Sequence, residues 1–342
     1  MATSSQSNRQ KAAADTRVAV MGAGAVGSYF GGMLARAGVP VTLIGRPAHV
    51  EAIRRHKLYL DTVSFQEHVT ADASTEPAAV ADADVILFAV KGTETEETAR
   101  SIAPHLAPGA IVVSLQNGVD NIERIRQASG IDALPSVVYI AVALPEPGQV
   151  KHTGSGALAI GELAHGGHLS SSSLRSVASS TRVEKIAALF APAGVPCRIS
   201  DYIEADLWSK FMVNCAANAI SAIAQCTYRQ ATSNPASREL MRLAIAETAA
   251  VARAAGVGLP DVDHVEAAIQ SLEAIGSAMS STARDLARGK RTEIESLNGY
   301  VVRRGIELGV PTPANLSLHA MVTLLEDSGA MSRQARLAGS SG

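Results

Sequence analysis

The chain has 342 residues, 47% hydrophobic and 18% charged, which is long enough for two domains and too apolar for extended disorder. Thirty Lys and Arg against 32 Asp and Glu leave a net charge of -2, excluding the broad basic field that nucleic acid or an anionic membrane would require. Three cysteines, Cys197, Cys215 and Cys226, lack CxxC spacing and so argue against a disulfide framework or zinc site and for a reducing cytoplasm, and no run of about 18 apolar residues offers a membrane span.

Residues 1–16 are polar and Ala/Ser-rich, a disordered leader by composition. From there short β-branched runs alternate with helical stretches, predicting a parallel sheet covered by helices, an α/β domain over residues 17–200. The strand runs are Val18 to Met21, Val41 to Ile44, Val85 to Val90, Ile111 to Leu115 and Val137 to Val142. In such a sheet ligands lie beyond the carboxyl ends of the strands, so Gly22 onward, Gly45-Arg46, Lys91-Gly92 and Asn117-Gly118 are site candidates by topology. The Gly/Ser-rich run His165 to Thr181 reads as a flexible loop, and His165 and His168 within it as loop residues rather than metal ligands. After Asp201 the strand pattern stops, and Ala/Leu/Ile-rich stretches of helical period predict an all-helical domain over 201–328, followed by a flexible tail over 329–342.

Gly22-Ala23-Gly24-Ala25-Val26-Gly27 satisfies G-x-G-x-x-G between the first strand and a helical stretch, the context of a dinucleotide-binding Rossmann turn. Gly22 permits the turn, Gly24 lets backbone approach a pyrophosphate, and Gly27 lets the helix pack close to the strand. The second strand ends at Gly45-Arg46, where an NAD enzyme commonly places a carboxylate for the ribose 2′-hydroxyl. Arg46 instead offers a charged fork suited to a 2′-phosphate, favouring NADP(H); if it is only a surface arginine, the choice of nucleotide stays open. Lys91 and Asn117 follow their strands directly. They can neutralise a cofactor phosphate and fix the nicotinamide end, or serve as a solvated charge and a turn residue.

In Trp208-Ser209-Lys210-Phe211-Met212-Val213-Asn214-Cys215-Ala216-Ala217-Asn218, the residues Lys210, Asn214 and Asn218 stand four apart and form one polar stripe on a helix. A lysine and two amides can supply a proton and hydrogen bonds to a keto acid, or they are simply the exposed face. A second constellation, Ser280 to Asp285 and Gly289 to Gly299, carries a serine pair and a Thr292-Glu293 step that look like helix caps. Alternatively, Ser281 donates to a substrate carboxylate and Glu293 faces Lys210; spacing decides neither.

At GAGAVG, Lys91-Gly92, LQNGVDN, KFMVNCAANAISAI and SSTARDLARGKRTEIESLNG the chain resembles the ketopantoate reductases (2-dehydropantoate 2-reductases), over about Val18 to Asn315. The resemblance implies NADPH-dependent reduction of 2-dehydropantoate to pantoate, in the pantothenate and coenzyme A pathway. It implies that Lys210 is the proton donor, Glu293 an active-site acid, Asn214, Asn218 and Ser281 substrate ligands, and Asn117 a contact to cofactor and substrate. Pantoate-specific members tend to carry a further asparagine shortly after the lysine helix, where this sequence reads Gln225-Cys226-Thr227-Tyr228. The alternatives are a related 2-keto or hydroxy-acid dehydrogenase and a non-catalytic NADP-binding sensor. The expected partner is a small 2-keto acid, with neither nucleic acid nor membrane, and the apolar helices of the second half are compatible with a homodimer.

Overall fold

The computed structural model describes residues 16–163 and 178–339. The expected leader therefore lies outside the described residues except for Thr16, and so do His165, His168 and most of the Gly/Ser-rich run. By Cα proximity the chain divides into two compact units, the first extending to Ile203 and the second starting at Glu204.

The first unit is built on β1 (Val18–Met21), β2 (Val41–Ile44), β3 (Leu58–Asp61), β4 (Gln66–Val69), β5 (Asp72–Ser74), β6 (Val85–Phe88), β7 (Ile111–Ser114), β8 (Leu134–Tyr139), β9 (Val142–Ala143), β10 (Gln149–His152), β11 (Ala157–Ile160) and β12 (Cys197–Ile199). Eight of these form one sheet in the order β12-β11-β8-β7-β6-β1-β2-β5. Val18 to Met21 pair in parallel register with Val41 to Ile44 on one side and with Val85 to Phe88 on the other. Side chains alternate across the sheet: Val18, Val20, Val85, Leu87 and Val113 enter one core, while Ala19, Ile86, Phe88 and Val112 enter the core on the opposite face. This double burial is why these strands read as unbroken apolar runs. Each fully buried Leu, Ile or Phe among them contributes about 2 kcal/mol.

Helices α1 (Ala25–Arg36), α2 (Pro47–His56), α3 (Thr95–Ile102), α4 (Asn121–Ser129) and α5 (Thr181–Phe190) complete the unit. Its α/β character is as the sequence predicts, with differences of detail. The sheet is not wholly parallel, because β11 runs antiparallel to β8. The run Val137 to Val142 is split, since β8 ends at Tyr139 and β9 joins a second sheet of order β4-β3-β10-β9. These strands escaped the sequence reading because Gln66–Val69 and Gln149–His152 are mostly polar, covered only on the side that carries Val69, Val150 and His152. Ser180, at the end of the Ser-rich run, caps α5 by accepting from Val183 N.

The second unit contains α6 (Ile203–Ala224), α7 (Tyr228–Ser233), α8 (Pro235–Ala254), α9 (His264–Ile275), α10 (Ser281–Ala287), α11 (Asn298–Leu308) and α12 (Pro313–Gly339). After Ile203 no strand occurs among the described residues, and no described helix is long and apolar enough to cross a membrane. The tail expected from Gly329 continues as helix to Gly339, as a stretch without proline can. Small residues let the helices pack closely: Ala216, Ala217 and Ala219 of α6 share a core with Ala244 and Ile245 of α8, Leu272 of α9 and Leu318 of α12. Trp208, Phe211 and Tyr300 form an aromatic cluster with centroids 5.5 to 6.2 Å apart.

A buried amide network fixes these helices. Asn298 Nδ2 donates to Cys215 O and to Asn315 Oδ1, both at 2.9 Å. Asn315 Nδ2 donates to Ala244 O at 3.1 Å and Glu247 Oε2 at 2.8 Å, while Glu247 accepts the Ala314 and Asn315 N–H groups that open α12. Asn315→Ala is expected to lower unfolding stability by about 2 to 3 kcal/mol, because it removes the buried side-chain hydrogen bonds that join Asn298, Ala244 O and Glu247. Chemical denaturation would show it, and a change within error would remove the network from the fold's supports.

Candidate active site

The strand order of the large sheet reverses between β1 and β6, the place where open sheets leave a crevice for ligands. Gly22 opens the turn there, at φ 100°. Its N–H and that of Ala23 donate to Ile44 O at 3.1 and 2.8 Å, tying the turn to the end of β2. A Cβ on Gly27 would lie 2.3 Å from Gly22 O and 2.8 Å from Val20, so only glycine lets α1 approach the strand. A Cβ on exposed Gly24 would meet nothing within 4 Å. That open face lies at the N-cap of α1, where no side chain caps the helix and no acidic residue occupies the first turn. Its free N–H groups and positive dipole end fit a pyrophosphate.

Arg46 is exposed at the end of β2 and leads into α2, with its guanidinium 3.4 Å from Glu94 Oε1. Lys91 is half-buried beyond β6, opening a short 3-10 turn, Gly92–Glu94. Asn117 is half-buried beyond β7. The sheet thus brings the four sequence-predicted nucleotide segments to one edge, at the carboxyl ends of adjacent strands.

A buried cluster that the sequence reading passed over locks two of these segments together. Gln116 Nε2 donates to Val90 O at 3.1 Å and to Thr95 Oγ1 at 2.8 Å, and Thr95 Oγ1 donates to Gly92 O at 3.0 Å. Asn121 Nδ2 donates to Asn117 O at 2.7 Å. Arg124 donates to Gly92 O at 2.6 Å while its fork holds Glu96 at 2.7 and 2.8 Å, which keeps the Glu96 carboxyl below the usual range. Gln116 stands inside LQNGVDN, yet nothing in its spacing distinguishes it from a turn residue.

In the second unit, Lys210, Asn214 and Asn218 all lie on α6. They are not its exposed face: Lys210 and Asn214 are half-buried and Asn218 is 4% exposed. Burial pushes the Lys210 ammonium down to about 8, and the Glu293 carboxylate acts on it in the opposite sense. Glu293 is half-buried just before a short 3-10 turn, Ile294–Ser296. Ser280, not Ser281, caps α10, accepting from Ala283 N at 2.9 Å and donating to Asn218 O at 3.1 Å. Ser281 is left exposed at the first position of α10, beside Asn218's end of α6. Asn298, quoted with this constellation in the sequence, belongs to the amide network of the core. Tyr228 joins the polar stripe unforeseen, its hydroxyl donating to Asn218 Oδ1 at 3.0 Å.

Residues 18–165 match the family model described as Ketopantoate reductase PanE/ApbA, and residues 202–326 match its C-terminal counterpart, Ketopantoate reductase PanE/ApbA C terminal. The chain belongs to the ketopantoate reductase family. It is 32% identical over 316 residues to the 2-dehydropantoate 2-reductase of Halobacterium salinarum, across 92% of this chain and all of that protein. A solved PanE/ApbA family ketopantoate reductase from Ralstonia eutropha JMP134 superposes with a TM-score of 0.82 at 47% identity, covering 92% of this chain and all of that one. A D-mandelate dehydrogenase solved with NADH and anilino(oxo)acetate is also similar, with a TM-score of 0.83 at 26% identity and the same coverage. As a family member the chain is an oxidoreductase with a Rossmann-type site for a pyridine nucleotide.

The two glycines separate binding from stability. Gly24→Ala is expected to leave the melting temperature unchanged and to weaken nucleotide binding, whereas Gly27→Ala should cost about 1 to 3 kcal/mol of stability through overpacking. Thermal melts and nucleotide titrations of both variants check this, and full nucleotide affinity in Gly24→Ala would count against the turn as the pyrophosphate cradle.

Proposed function

We propose that the protein reduces the C2 carbonyl of 2-dehydropantoate, or a closely similar branched 2-keto acid, to the 2-hydroxy acid with NADPH. When bound, NADPH supplies the hydride that C2 receives. The remaining chemistry falls to the chain's own side chains.

The observation that carries this reading is the polar face of α6, where a partly desolvated Lys210 opposed by Glu293 shares one stripe with Asn214 and Asn218. Lys210 Nζ donates a proton to the C2 oxygen as that oxygen gains negative charge, and it regains the proton from solvent. A pKa near 8 suits a general acid at neutral pH, because the group is still charged but releases its proton readily. Glu293 is an active-site acid in that its negative charge keeps Lys210 protonated. The amides of Asn214 and Asn218 and the hydroxyl of Ser281 hold the keto acid, and Asn117 contacts both nucleotide and substrate.

The first unit, with the glycine turn of Gly22 to Gly27, takes the pyrophosphate, and Lys91 adds a positive charge beside it. Arg46 meets the 2′-phosphate, which is the reason for preferring NADPH to NADH. Free thiols at Cys197, Cys215 and Cys226 suit a cytoplasmic setting.

The direct test is the rate of NADPH oxidation with 2-dehydropantoate, run beside NADH. Lys210→Ala is expected to lower kcat/KM by about 10²- to 10⁴-fold; a rate close to the parent would take Lys210 out of the chemistry. In the parent, kcat/KM for reduction should be level at neutral pH and fall as pH rises past about 8, where the lysine loses its proton. Glu293 holds that value up, so Glu293→Gln should move the break to lower pH, and an unmoved break would mean that another group titrates. Arg46→Ala should raise KM for NADPH about tenfold and leave KM for NADH nearly unchanged. An equal change for both nucleotides would remove Arg46 from the 2′-phosphate.

A further inference from the structure

The carboxyl end of α6 is closed by a ring of hydrogen bonds whose purpose the mechanism above does not exhaust. Gln225 ends the helix in the left-handed region, at φ 48°, and turns the chain back on itself. Thr227 then starts α7 with a capping box that it shares with Gln230. The two N–H groups that follow are clamped to the segment ahead of α10, Tyr228 N to Ala278 O at 2.9 Å and Arg229 N to Gly276 O at 2.8 Å. Ser221 Oγ donates to Cys226 O at 2.7 Å and accepts from Ser280 N at 3.1 Å, and Ser280 Oγ donates to Asn218 O at 3.1 Å. The backbone at Tyr228 is therefore tied to the segment ahead of α10.

Within this ring the Tyr228 hydroxyl donates to Asn218 Oδ1 at 3.0 Å. Among the described residues Asn218 Nδ2 has no acceptor, although Asn218 is 4% exposed. An amide can present either end to a ligand, and which end faces out depends on what holds the other. A phenol that donates to the oxygen takes one of its lone pairs and turns the NH₂ group away from itself. Burial pushes the Tyr228 phenol up to about 12, against a lowering by the nearby Arg284 charge, so it stays a donor throughout the range in which Lys210 titrates.

We infer that Tyr228 is a positioning residue for substrate: it fixes the Asn218 amide with its NH₂ outward, making that corner of the site a donor to an oxygen of the 2-keto acid that can only accept, its carboxylate or its carbonyl. The inference rests on the keto-acid reading above. It adds that Tyr228 acts through Asn218, without touching the reacting atoms.

A double-mutant cycle tests it, with steady-state reduction of 2-dehydropantoate by NADPH in the parent, Tyr228→Phe, Asn218→Ala and the double variant. Phenylalanine keeps the ring that packs on the core of the second unit, so Tyr228→Phe should still fold, with a melting temperature lowered only by the loss of one hydrogen bond. Its KM for the keto acid should rise about tenfold with kcat and KM for NADPH little changed, the loss of one buried hydrogen bond. In the Asn218→Ala background the same change should have no further effect on KM. An unchanged KM in Tyr228→Phe, or effects that multiply in the double variant, would overturn the inference while leaving the reductase reading intact. A parent that turns over no 2-keto acid would overturn both.

Discussion

Taking an ammonium group out of water costs several kcal/mol unless an opposite charge faces it, and Lys210 lives under both influences. Its side chain is half-buried on α6, and the desolvation that this burial imposes draws the lysine down to about 8. Glu293, delivered by a turn some 80 residues further along the sequence, offsets part of that loss. The second unit is organised to keep these two groups in place. The Asn298 and Asn315 amides tie α6 to α8, α11 and α12, and the Ser280 cap ties α10 to Asn218.

The first unit rests on a different constraint, the close approach of backbone to backbone at its glycine turn. Glycine at position 27 brings α1 against β1, and the vacant face at Gly24 exposes the helix start. Rigidity there comes from polar groups buried behind the loops: Gln116, Thr95, Asn121 and Arg124 answer the carbonyls of Val90, Gly92 and Asn117, so the turns after β6 and β7 are held as one piece. Charge is used sparingly. Arg46 is exposed with Glu94 at 3.4 Å, a contact loose enough for solvent or an anion to compete with it.

Legibility in the sequence followed burial. Strands covered on both faces, such as Val85–Phe88, announce themselves as apolar runs, and the glycine turn is recognisable because strand, turn and helix follow one another without interruption. Strands covered on one face, such as Gln149–His152, were missed, as was the antiparallel direction of β11, which depends on where the chain returns and not on its composition. The polar stripe of α6 was visible as a four-residue spacing, but a spacing reads alike for a solvated face and for a site. Burial of Asn218 to 4% exposure rules out the first for that residue.

Periodicity and local punctuation, then, were enough to predict an α/β half followed by a helical half and to point to a glycine turn between a strand and a helix, because each is encoded within about ten to twenty consecutive residues. Only the tertiary structure decided which serine became a cap, which asparagine became core and which carboxylate faced the lysine. Ser280, Asn298 and Glu293 take those parts through partners dozens of residues away, and a side chain's role is set by the groups that long-range packing brings to it.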